Sequence, residues 1–236
     1  MQRLVISEAQ FLDASRVHLT AEQRHYLLSV LRMRPGDRLI VLNGLGQAWV
    51  GTLADESEIA LQEPYALQTE CPMPIKLVAA LPKNGFDEVV RCVTELGVTH
   101  IYPVISERTV LKPSDNKLQR WRKIATEAAE QSERLVVPTI ETPQPFLKLL
   151  HQLPPDHIYL CGAREKSLHL LDALPDNIPP EITLLVGPEG GWAEAEIQQA
   201  IAQNIPVVSL GKSILRAVTA SITAIALVNG YYRARF

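Results

Sequence analysis

Cysteine is scarce in this chain of 236 residues: Cys71, Cys92 and Cys161 are far apart, odd in number and free of any Cys-x-x-Cys spacing. That excludes a disulfide framework and a structural zinc site, and each cysteine reads as a small buried hydrophobe. No charged segment followed by an apolar one opens the chain, and no apolar stretch is long enough to span a bilayer. A cytoplasmic location with no membrane partner is therefore expected. Internal repeats and low-complexity tracts are missing as well. So is an excess of one charge: 23 Lys and Arg stand against 26 Asp and Glu, a net charge of −3. Nucleic-acid binding has to be sought in local clusters rather than in the overall balance.

Two such clusters are present. Arg24, His25, Arg32, Arg34 and Arg38 face a single acid, Asp37, and Arg108, Lys112, Lys117, Arg120, Arg122 and Lys123 face Asp115 alone. A charge run by itself is more readily a solvated face than a binding surface. The composition, 47% hydrophobic and 21% charged, is that of a globular protein with a sizeable core. The length suits two unequal domains.

The first seventy residues carry short Val-, Ile- and Leu-rich runs at 3–6, 38–43, 47–53 and 58–61, bounded by turn residues. A small β-rich domain is expected. Asn43-Gly44-Leu45-Gly46 supplies the positive-φ residues of a hairpin, and one helix is expected over 21–33, stopped by Arg34-Pro35-Gly36. Cys71-Pro72-Met73-Pro74 reads as a linker, which puts the domains at 1–72 and 73–236. Beyond it, apolar runs at 75–81, 100–105, 157–161, 182–186 and 206–210 alternate with helical patterns at 86–96, 118–133 and 193–202. This is the signature of an α/β domain with a largely parallel sheet. The last segment, 214–232, is apolar nearly all round, so it must be buried on most sides, with a second subunit as one means of covering it.

Gly187-Pro188-Glu189-Gly190-Gly191-Trp192 follows the strand at 182–186 and precedes a helix. It thus lies at a strand's carboxyl end, where open α/β sheets bind ligands and where glycine lets a backbone approach closely. The spacing is not the Gly-x-Gly-x-x-Gly of a dinucleotide fold. Gly211-Lys212-Ser213 is not a phosphate loop either, because Pro206 stands where the first glycine is required. What remains is a pair of loops, 187–192 and 211–216, each leaving a strand and entering a helix.

This arrangement resembles the SPOUT RNA methyltransferases. Leu185-Val186-Gly187-Pro188-Glu189-Gly190-Gly191 and Leu210-Gly211-Lys212-Ser213-Ile214-Leu215-Arg216 are similar to the RsmE-type branch, which methylates N3 of a uridine in 16S ribosomal RNA. Val30-Leu31-Arg32, Pro35-Gly36-Asp37, Leu81-Pro82-Lys83, Thr94-Glu95-Leu96-Gly97-Val98, Ile105-Ser106-Glu107-Arg108 and Arg120-Trp121 extend the resemblance in the same order over nearly the whole chain. The family implies a PUA-like β-barrel that binds RNA and a SPOUT α/β domain tied in a deep trefoil knot. It also implies a homodimer and a site for S-adenosyl-L-methionine that needs no metal.

Carried over by position, the resemblance assigns the cofactor to Val186, Gly187, Pro188, Glu189, Gly190, Gly191, Leu210, Gly211, Ile214, Leu215 and Thr219. The uridine N3 proton must leave, so a base or a cation beside the ring is required. Arg216 is the candidate cation, with a capping or dimer-interface arginine as the other reading. Glu189 is a base or an orienting group, the latter being favoured. The resemblance moves Arg24, Arg32, Arg34, Lys112, Arg120 and Lys123 from solvated face to RNA contact, the partner being 16S ribosomal RNA or the small subunit. His25 and His100 read as structural.

Two stretches depart from the family pattern. Arg216-Ala217-Val218-Thr219 stands where Thr-Glu-Thr usually follows the arginine, and Asn84-Gly85-Phe86 replaces a longer, more polar stretch after Lys83. Two other readings therefore stay open: a SPOUT enzyme acting on another nucleotide, and a non-catalytic ribosome-assembly factor.

Overall fold

A computed structural model describes residues 1–111, 113–154, 156–162 and 167–235. The chain divides into two compact units, Met1–Glu70 with Ala129–Val137, and Cys71–Ala128 with Pro138–Phe236.

The first unit is a curled six-stranded sheet of β1 (Arg3–Val5), β2 (Phe11–Asp13), β3 (Arg16–His18), β4 (Arg38–Leu42), β5 (Ala48–Leu53) and β6 (Glu58–Pro64), ordered β1-β4-β5-β6-β3-β2. Only β1 and β4 run parallel. Leu4, Ile6, Val17, Leu39, Val41, Leu53 and Ile59 form its core, and Gly51 is required where β5 passes Ile59, since a Cβ there would lie 2.6 Å from Ile59 Cγ2. The helix expected over 21–33 is shorter. Helix α1 (Ala21–His25) opens on a Thr20/Gln23 capping box. It then widens into a π-turn, Tyr26–Val30, in which Leu31 N–H donates to the Tyr26 carbonyl at 2.9 Å. Arg32 leaves at φ 58°, and Met33 N–H returns to the Leu27 carbonyl. The wider turn keeps Leu27, fully buried, against the sheet, a tertiary demand that outweighs the helical pattern of the sequence.

The 129–137 segment completes this unit. Arg134, 3% exposed, pairs with Glu70 at 2.6 Å, and the other Glu70 oxygen accepts the Leu135 and Val136 N–H groups. Glu130 Oε1 accepts Val5 N–H at 2.7 Å.

The second unit is an eight-stranded parallel sheet built from β7 (Ile75–Ala80), β8 (His100–Ile105), β9 (Thr139–Ile140), β10 (Gln144–Pro145), β11 (Ile158–Cys161), β12 (Leu168–His169), β13 (Ile182–Val186) and β14 (Val207–Ser209). Its order is β10-β8-β7-β13-β11-β14-β12, with β9 also on β8. Strand β13 is buried along its whole length, as a central parallel strand must be. The helices are α2 (Phe86–Glu95), α3 (Asp115–Gln131), α4 (Phe146–Leu150), α5 (Leu170–Ala173), α6 (Glu194–Ala202) and α7 (Ala217–Arg233). Helix α7 buries one face, Ala217, Ser221, Ala224, Ile225, Val228 and Tyr232, in contact with α2, α5, β7 and β13. Its Ile222, Ala226 and Leu227 stay half-exposed. Asn229 Nδ2 donates to the Leu96 carbonyl at 2.6 Å and so occupies an otherwise open acceptor at the end of α2.

Candidate active site

The register of the parallel sheet brings three strand ends level. Cys161 of β11 lies opposite Val186 of β13 on one side and Val208 of β14 on the other. Each of these strands is followed within two residues by a glycine: Gly162, Gly187 and Gly211. Here a cavity of about 310 Å³ opens. That volume falls in the range of small-molecule sites.

Both glycine loops reach this cavity, although β11 runs between their strands. Val186, Gly187, Pro188, Glu189, Gly190, Gly191, Leu210, Gly211, Ile214 and Leu215 all line it. Thr219 and Arg216 are exposed and are not among the lining residues. Arg216 takes the N-cap position of α7, where its carbonyl accepts Ala220 N–H at 2.7 Å. Nine further lining residues were not among those assigned to the cofactor, Arg108, Cys161, Gly162, Glu194 and Ile197 among them. Gly162 carried a signal, a glycine directly after an apolar strand like Gly187. Arg108 stood in a basic cluster and in a family-like stretch, neither of which placed it at the cavity.

Backbone shape explains the glycines. Gly211 has φ +137°, outside the range of ordinary side chains. At Gly190 a Cβ would lie 3.3 Å from Arg108 Cδ, and at Gly187 it would meet Trp192 N and ring atoms at 3.2–3.3 Å. Trp192 in turn stacks on Phe146 with centroids 4.2 Å apart. Its Nε1 is buried with no hydrogen-bond partner among the described residues.

The first loop is fixed from outside. Glu189 Oε1 accepts the Lys83 N–H at 2.9 Å, beyond the end of β7. Glu196, 3% exposed, spends one oxygen on Ala193 N–H at 2.8 Å and the other on Glu107 N–H at 2.9 Å. Burial pushes the Cys161 thiol up to about 12, so it stays protonated and is no nucleophile at neutral pH. Among the described residues no group of three His, Cys, Asp or Glu side chains is arranged to hold a metal ion.

The RNA-binding candidates divide. Arg24, Arg32 and Arg34 of the first unit are exposed. In the second, Arg120 and Lys123 are exposed, and Arg120 is paired with Asp87 at 2.7 Å. Lys112 lies outside the described residues.

Two families match this architecture, an RNA methyltransferase domain over residues 69–229 and an RNA methyltransferase PUA domain over 19–62. Ribosomal RNA small subunit methyltransferase E of Synechocystis sp. is 46% identical over 233 residues, covering 96% of this chain and 77% of that protein. The chain belongs to the ribosomal RNA small subunit methyltransferase E family. The Bacillus subtilis member is 29% identical, over 97% of this chain and 96% of its own. The crystal structure of the Neisseria gonorrhoeae member, bound to S-adenosyl methionine, superposes with a TM-score of 0.88 at 30% identity, covering 98% of both chains. The family thus agrees with the two-part fold expected from the sequence, a PUA-like sheet and a SPOUT α/β domain.

Proposed function

We propose that the cavity at the ends of β11, β13 and β14 binds S-adenosyl-L-methionine, and that the chain methylates N3 of a uridine in 16S ribosomal RNA of the small subunit. The observation that carries this is the convergence of both glycine loops on one cavity, in a chain whose 30%-identical relative holds that cofactor.

Bound there, the cofactor supplies an electrophilic methyl group on a sulfonium. The protein's part is to hold donor and acceptor in line, which accounts for much of the rate of such a transfer. Leu210, Ile214 and Leu215 offer apolar surface for the adenine, and the loop 187–191 offers backbone groups. Glu189, committed to the Lys83 N–H, orients the first loop. Arg216, exposed at the head of α7, is the cation assigned to the uracil ring as its N3 proton leaves. The exposed Arg24, Arg32 and Arg34 hold phosphates.

The half-exposed Ile222, Ala226 and Leu227, with Ile214 at 66% exposure, support a homodimer through this side of the domain. The trefoil knot and the cytoplasmic location belong to the same reading. Among the described residues no helix is long and apolar enough to cross a membrane.

Calorimetry with S-adenosylmethionine, followed by transfer of its labelled methyl to small ribosomal subunits, tests the proposal. Binding and transfer to the subunit support it. Transfer to transfer RNA alone favours a different nucleotide, and binding without transfer favours an assembly factor.

A further inference from the structure

Arg108 stands out once the charges of the cavity are set beside those of its ligand. It follows β8, distant in sequence from both glycine loops, yet its Nη1 donates to the Gly190 carbonyl at 2.8 Å and its chain lies over that glycine. The backbone beneath it is held in place. Buried Glu196 accepts the Glu107 N–H, and Thr109 Oγ1 accepts the Ser106 N–H at 3.0 Å. The turn is therefore pinned on both sides of the arginine, and the bond to the Gly190 carbonyl holds the exposed guanidinium at the cavity wall.

Among the described lining residues the charged groups are Glu189, Glu194 and Arg108. S-adenosylmethionine carries two cations, the sulfonium and the ammonium, and one anion, the carboxylate. Wall and ligand are complementary, two acids to two cations and one arginine to one carboxylate. A guanidinium has five N–H donors in a planar fork suited to carboxylates, and the Gly190 carbonyl takes one of them.

We infer that Arg108 recognises the carboxylate of the cofactor's methionine moiety, with Gly190 as the backbone latch that sets its position. This assignment rests on the proposed cofactor. It makes Arg108 a binding residue that discriminates adenosyl ligands bearing the amino-acid carboxylate from those that lack it. A uniform contribution to folding would not discriminate in that way.

The test compares S-adenosylmethionine with decarboxylated S-adenosylmethionine, which lacks only that carboxylate, in calorimetry on the wild-type protein, Arg108→Ala and Arg108→Gln. Gln keeps a donor for the Gly190 carbonyl and removes the charge. The wild type is expected to favour the complete cofactor by about tenfold or more, the scale of a charge-assisted hydrogen bond. Both variants are expected to lose that preference while binding the decarboxylated compound as the wild type does. Equal weakening toward both ligands, recovery of full preference by Gln, or no change in either variant would overturn the assignment and leave the cofactor proposal standing. A wild type that binds neither ligand overturns both.

Discussion

Val218 packs against Gly85: its Cγ2 lies 2.9 Å from the point that a β-carbon on Gly85 would occupy. These two residues sit in the two stretches that depart from the family pattern, and the fold brings the departures together. Gly85 is the N-cap of α2 at φ +87°, a conformation that glycine adopts freely. Its missing side chain leaves room for the branched valine in the first turn of α7.

Gly85→Ala is therefore expected to lower stability by about 1–3 kcal/mol, from backbone strain together with the contact to Val218. Val218→Ala on that background should restore the steric part and leave the strain. Urea unfolding of the two single variants and the double variant measures the coupling. Strict additivity would refute the contact.

Glu70 to Ala strips the carboxylate from buried Arg134 and from two backbone N–H groups. Breaking a buried ion pair on one side costs about 3–5 kcal/mol, and with the Glu70 side chain 25% exposed the loss here should lie toward the low end of that range. The urea midpoint should drop with little change of slope. A midpoint within error of wild type would contradict the role given to this pair.

Arg32 leaves the π-turn exposed at φ 58°. If Arg24, Arg32 and Arg34 each neutralise a phosphate, replacing any one by Ala should reduce the slope of log affinity against log salt by about 0.7–0.9. Binding titrations on small-subunit RNA at several salt concentrations read this out. An unchanged slope in all three variants would return these arginines to a solvated face.

Burial, and after it the Lys76 ammonium, hold His100 below the ordinary imidazole value of 6.5, while Glu141 and Glu181 oppose the shift. The folded state thus prefers neutral His100, and below pH 6.5 the unfolded chain binds the proton more readily. Stability from this group is complete above that pH and is lost as the pH falls through the folded value. The urea midpoint of the wild type should fall more steeply between pH 7 and pH 5 than that of His100→Gln. Parallel profiles would contradict it.

Much of this architecture was legible in advance, for reasons that individual elements make plain. Buried β13 reads as a strand because four apolar residues and a β-branched threonine end in glycine, and the glycine loops announce themselves because only special backbone brings them to a ligand. Two-residue strands such as β9, β10 and β12 are too short to carry any period. The π-turn was hidden because Tyr26–Val30 has helical composition, and burial of Leu27 decides its width. Arg108 was invisible as a cavity residue because its place there comes from the parallel pairing of β7 with β8 and from Glu196, which lies 89 residues downstream of Glu107.

The central claim is that this cavity serves methylation of a ribosomal uridine at N3. It is tested most directly by nucleoside mass mapping of unmodified small subunits incubated with the protein and methyl-labelled S-adenosylmethionine. The account predicts label in N3-methyluridine at a single position of the small-subunit RNA. Label in any other nucleoside, or none in RNA while the cofactor binds, would contradict it.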